Sequence, residues 1–70
     1  MPKQLIQTFK YKSWEVKIYQ LGNRAFQYSW TDPNGIERSG MGTWFTEEYA
    51  VDMAKQYIDQ RIRDSESVKD

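Results

Sequence analysis

The stretch "FKYKSWEVKIYQLGNRAFQYSWT", residues 9–31, decides the fold. Apolar and polar residues alternate along most of it, the period-2 pattern of strands with one face buried. In 9–20 the apolar set is Phe9 and Tyr11, then Trp14, Val16 and Ile18, so its parity switches at Lys12-Ser13. A single strand with a bulge or tight bend at that point keeps both halves facing one core. In 25–31 the rings of Phe26, Tyr28 and Trp30 share one side, and Gln27, Ser29 and Thr31 share the other. Between the two runs, Gly22-Asn23 reads as a two-residue hairpin turn, since both residues tolerate positive φ.

Working outward, "DPNG" (32–35) is a turn in which Pro33 presets φ and Gly35 accepts a left-handed conformation. A third short strand is expected from Ile36 into the glycines of "SGMGTWFTEE" (39–48). Thr46 reads as a helix N-cap, with Glu47 and Glu48 favouring the positive end of the helix dipole. Ala50, Val51, Ala54, Tyr57, Ile58 and Ile62 then recur at helical spacing as one apolar stripe, with Asp52, Lys55, Gln56, Asp59, Gln60 and Arg63 opposite. Phe45, just before the cap, is placed to staple onto Ala50. The expected architecture is α+β: a three-stranded antiparallel meander packed on one C-terminal helix (βββα), in a single domain over 1–63. Residues 64–70, "DSESVKD", have little to bury and read as a disordered tail.

Glycines next to a helix start raise the question of phosphate binding, which needs free backbone N–H groups at the helix's positive end. Glu47 and Glu48 already occupy that end, and no Lys-Ser, Lys-Thr or G-x-G-x-x-G accompanies the pair. Gly40 and Gly42 therefore read as a join that lets an edge strand bulge and climb to the helix.

Composition narrows the chemistry. The 70 residues contain no cysteine and no histidine, which leaves no disulfide, no usual zinc ligand set and no familiar activated nucleophile. The chain reads as a non-enzyme without cofactor or metal. Three Trp, five Tyr and three Phe must supply its core. With no apolar run long enough to span a bilayer and no signal-peptide pattern, it reads as soluble and cytoplasmic. Net charge is zero, whereas a dedicated nucleic-acid binder is usually basic.

Two surfaces are candidates. For a protein partner they are Trp44, Met41, Tyr49 and Met53, because strand alternation cannot bury Trp44, Met41 and Phe45 together; Trp44 is either a binding anchor or a lid folded over the core rim. For nucleic acid it is the uncovered sheet face, expected to show Lys10, Lys12, Glu15, Lys17, Tyr19, Gln27, Ser29 and Thr31. Because Glu15 interrupts the patch and the net charge is zero, the same face reads first as a solvated surface whose lysines guard an edge.

The order "WEVKIY", hairpin, "YSWTDPNGIER", "WFTEEYA" resembles the N-terminal arm-DNA-binding domain of phage-type tyrosine recombinases, a relative in fold of the plant APETALA-type domain. Trp14, Ile18, Asp32, Gly35, Arg38, Phe45, Thr46 and Ala50 carry the resemblance over about fifty residues. It implies a three-stranded sheet entering the DNA major groove, with Lys10, Lys12, Lys17, Tyr19, Arg24, Gln27 and Arg38 as contacts. Strands running into Thr46-Glu47-Glu48 are also similar to antitoxins of the HicB type, which would imply a partner protein. Neutral charge places a protein-interaction or accessory role ahead of DNA binding. Unpaired outer strands leave a monomer or an edge-paired dimer as the expected assembly.

Overall fold

The computed structural model describes residues 3–40 and 42–67. Four strands, β1 (Gln4–Tyr11), β2 (Trp14–Gly22), β3 (Ala25–Thr31) and β4 (Glu37–Ser39), precede one helix, α1 (Glu47–Ser67). The strands form one antiparallel sheet in the order β1-β2-β3-β4, and α1 covers one face of it. The α+β class with a C-terminal helix stands, but the sheet has four strands rather than three.

The extra strand comes from the parity switch. Lys12 and Ser13 both adopt left-handed backbone, φ 51° and 71°, and close a two-residue hairpin in place of a bulge within one strand. Positive φ at both turn positions matches the right-handed twist of the strands it joins. Tyr11 and Trp14 face each other across that turn, which puts two aromatics three residues apart on the same face. Lys-Ser lacks the usual turn signature, so the reversal left only its parity mark in the sequence.

The next hairpin is displaced by one residue. β2 runs through Gly22, the turn is Asn23-Arg24, and Leu21 is the extra residue in the register between Gln20–Phe26 and Gly22–Ala25. Gly22 pairs with Ala25, and neither Gly22 nor Asn23 has positive φ, so Gly22-Asn23 is not the turn. At the "DPNG" turn the expectation holds. Gly35 has φ 90°, and Asp32 Oδ1 accepts hydrogen bonds from the N–H groups of Asn34 and Ile36, both at 2.9 Å.

The core lies between sheet and helix, as the ring parity requires. Trp14, Val16, Ile18, Phe26, Tyr28 and Trp30 are buried against Ala50, Ala54 and Ile58. Val16, Ile18 and Ile58 are fully enclosed, each worth about 1.5–3 kcal/mol of transfer free energy. Two alanines at successive turns let the helix backbone sit close to the sheet. Trp30 packs against Trp14 at 5.1 Å and Tyr57 at 5.4 Å between ring centroids, and the Arg61 guanidinium lies over both Trp30 and Tyr57.

α1 begins as expected: Thr46 Oγ1 accepts the Tyr49 N–H at 3.0 Å, and the Thr46 carbonyl accepts the Ala50 N–H. It continues through Asp64 to Ser67 where the sequence reading ended it at Arg63; residues 68–70 lie outside the described residues. Among the described residues no helix is long and apolar enough to cross a membrane.

Candidate protein-docking corner

The segment from Ser39 to Thr46 is the join anticipated in the sequence, and its geometry explains both glycines. The Gly40 N–H donates to the Tyr28 carbonyl at 2.9 Å, so β3 and the edge segment stay in register there. A Cβ on Gly40 would overlap the Tyr28 ring, which folds across the edge in the space a side chain would need. Gly42 has φ 81° and open space around it, so its task is to turn the chain. Trp44 then returns to the sheet and exchanges two backbone hydrogen bonds with Phe26, each 2.9 Å.

That bridge sets the side-chain directions. Trp44 pairs with inward-facing Phe26 and packs half-buried on the core, with its ring 5.3 Å from Tyr49. Phe45, the next residue, points away and is 75% exposed, so it does not staple onto Ala50. The alternation that buries Trp44 expels Phe45. Tyr49, one helical turn further on, is 49% exposed.

The corner has a hollow beside it. Asn23, Arg24, Phe26, Phe45, Thr46 and Glu47 line an open depression of about 550 Å³. Its floor is aromatic, and its rim carries one cation, Arg24, and one carboxylate, Glu47. The β2–β3 turn, the Trp44 bridge and the start of α1 together place Leu5, Leu21, Phe45 and Tyr49 at one end of the sheet. These are four of the six large hydrophobics most exposed among the described residues; Ile36 and Tyr57 are the others.

Of the residues expected to meet a protein, the structure brings together Trp44 and Tyr49. Met53 is half-buried against the core on the following helical turn, and Met41 lies outside the described residues. Phe45 and Arg24 join this surface in ways the sequence reading did not anticipate.

The residues expected to meet nucleic acid divide. Lys10, Glu15, Lys17, Tyr19, Gln27, Ser29 and Thr31 share the open sheet face by register. There Lys17 Nζ lies 3.9 Å from Glu37, Lys10 pairs across from Glu15, and Lys3 covers the Tyr19 ring at 4.5 Å. Ser29 is buried at the centre of that face, and its hydroxyl has no hydrogen-bond partner among the described residues.

Three of the candidate cations lie elsewhere. Arg38 pairs with Trp30 and so belongs to the helix-side face, and Arg24 sits in the β2–β3 turn. Lys12 sits in the first turn and bonds Asp59 of α1 at 2.8 Å, while the Tyr11 hydroxyl donates to the same carboxylate. The hydrogen bond from Lys12, then that from Tyr11, holds the Asp59 carboxyl below its ordinary range, and Asp59 in turn raises Lys12. Burial, followed by the nearby Tyr57, raises the Tyr28 phenol. Among the described residues no cluster of His, Cys, Asp and Glu is placed to hold a metal ion.

Comparison with family models, curated proteins and solved structures finds no match to the chain.

Proposed function

We propose that this chain is a small non-enzymatic protein-interaction module that docks a partner through the corner of Trp44, Phe45 and Tyr49. The observation that carries this reading is Phe45. A phenylalanine three-quarters in water, beside a half-exposed tyrosine and above an aromatic-floored hollow, has the makings of an anchor site. Small rigid domains present such aromatics at low conformational cost, and the polar rim of Arg24, Asn23 and Glu47 can fix the orientation of what binds. The hollow suits an apolar side chain of the partner, flanked by groups that pair with Arg24 and Glu47.

Photo-crosslinking tests the proposal. A benzophenone amino acid in place of Phe45 is expected to yield a discrete protein adduct in the cells of origin. The same probe in place of Ile36, 49% exposed at the opposite end of the sheet, is expected to yield none. Equal labelling from both positions refutes the assignment. So does an NMR titration in which duplex DNA at low salt shifts the open-face residues of 10–19 and 27–31 and the shifts vanish as salt rises.

A further inference from the structure

The hollow beside the docking corner has two unlike sides. The β2–β3 turn supplies Asn23 and Arg24, a side-chain amide and a cation. The join and the first turn of α1 supply Phe45, Thr46 and Glu47, with an exposed ring and a carboxylate. Phe26, held by its two backbone bonds to Trp44, forms the floor between them. Among the described residues neither Arg24 nor Glu47 makes an ion pair. The adjacent acid, Glu48, lines the hollow beside β1 and not this one. Each side therefore holds what the other lacks. The helix-start side has a projecting ring and an unpaired carboxylate, and the turn side has open floor and an unpaired cation.

We propose that the partner of this corner is a second copy of the chain. Two corners meet face to face about a two-fold axis through the hollow, and each Phe45 enters the hollow of the other copy. This rests on the docking surface proposed above and names what that surface binds. A half-turn about the axis lays the helix-start side of one copy over the turn side of the other. Phe45 then packs on Phe26 of the second copy, beside its Arg24, in a depression of about 550 Å³ with room for the incoming ring. A guanidinium next to an aromatic ring is a favourable neighbour. Arg24 faces Glu47 of the second copy, and symmetry makes every such contact occur twice.

Charge selects this occupant. A rim with one cation and one carboxylate is neutral, so two identical surfaces approach without net repulsion, and the half-turn matches opposite signs at contact range. An unrelated partner has to bring a ring, an anion and a cation in the right order. A second copy brings all three by construction. Six lining residues fall well short of the about 20–30 a side in a standard interface. The dimer is therefore transient, with a dissociation constant in the high-micromolar range.

An NMR dilution series of the full chain, from millimolar to micromolar at low salt, tests the proposal. The expected result is slower diffusion at high concentration, with concentration-dependent shifts at 23–26 and 45–47 that shrink as salt is added. Arg24→Glu and Glu47→Arg each set two like-charged pairs in the interface, and each is expected to weaken association about tenfold or more. The double variant restores both pairs with their signs exchanged and is expected to recover it. Glu47→Arg also puts a cation at the positive end of α1, so Arg24→Glu, in the exposed turn, gives a readout independent of helix stability. Circular dichroism checks that each variant is folded. Association that Arg24→Glu leaves unchanged, or that the folded double variant fails to recover, overturns the proposal. A chain that diffuses as a monomer at every concentration, while a probe at Phe45 still captures a different protein in cells, overturns the second copy and leaves the docking corner standing.

Discussion

Replacing Gly40 with alanine adds one carbon to a segment held on both sides. The new Cβ would stand 2.8 Å from Tyr28 Cδ1 and closer still to Cε1 and Cζ, against an ordinary contact of about 3.5–4 Å. The ring cannot swing away freely, because Tyr28 is only 7% exposed and packed in the core. The backbone cannot retreat without stretching the 2.9 Å bond from the Gly40 N–H to the Tyr28 carbonyl. Overpacking of this kind costs about 1–3 kcal/mol. At about 2 kcal/mol, and 4–8 °C per kcal/mol for a domain of this size, the midpoint of thermal unfolding should fall by roughly 8–16 °C.

The cause can be separated from any backbone effect. Tyr28→Val removes all three clashing ring atoms, so in that background Gly40→Ala should cost nothing. It should even gain about 0.4–1 kcal/mol by restricting the unfolded chain, since Gly40 does not have positive φ. Urea unfolding followed by tryptophan fluorescence on the four members of the cycle measures the coupling, expected at about 2–3 kcal/mol. If Gly40→Ala destabilises both backgrounds equally, the ring does not occupy the glycine's space and the account of this join is wrong.

Other expectations follow from the same contacts. Thr46→Ala should cost about 0.5–2 kcal/mol in urea unfolding by freeing the Tyr49 N–H, while Thr46→Ser should retain most of it. Ser29→Ala should be neutral or stabilising by up to about 1 kcal/mol, because it removes a buried hydroxyl with no partner. The Asp59 carboxyl, depressed in the fold, contributes stability that is present above its ordinary value of 3.8 and is lost as pH falls through the folded value. Lys12, raised in the fold, contributes stability present below 10.5 and lost as pH rises through its folded value. Urea midpoints measured across both ranges should flatten in Asp59→Asn, and an unchanged acid slope would place the acid sensitivity elsewhere.

Period-2 alternation in 14–18 and 26–30, the stripe from Ala50 to Ile62 and the Thr46 cap were legible in the sequence because each is local. Side-chain spacing repeats within a strand or helix, and a cap needs only its own next turn. Those signals chose the core face and put Trp14, Phe26, Tyr28 and Trp30 under the helix, where the structure has them. They also carried the α+β class. They did not give the strand count, because Lys12-Ser13 reverses the chain with two residues that seldom adopt left-handed backbone, and only partners across the hairpin hold them there. Nor could they say which of Trp44 and Phe45 faces water. That depends on the bridge from Trp44 to Phe26, eighteen positions away along the chain, just as the task of Gly40 depends on the ring of Tyr28. Local spacing determined what must be buried; pairing between distant segments decided which aromatics were left outside, and a surface for partners is made of what is left outside.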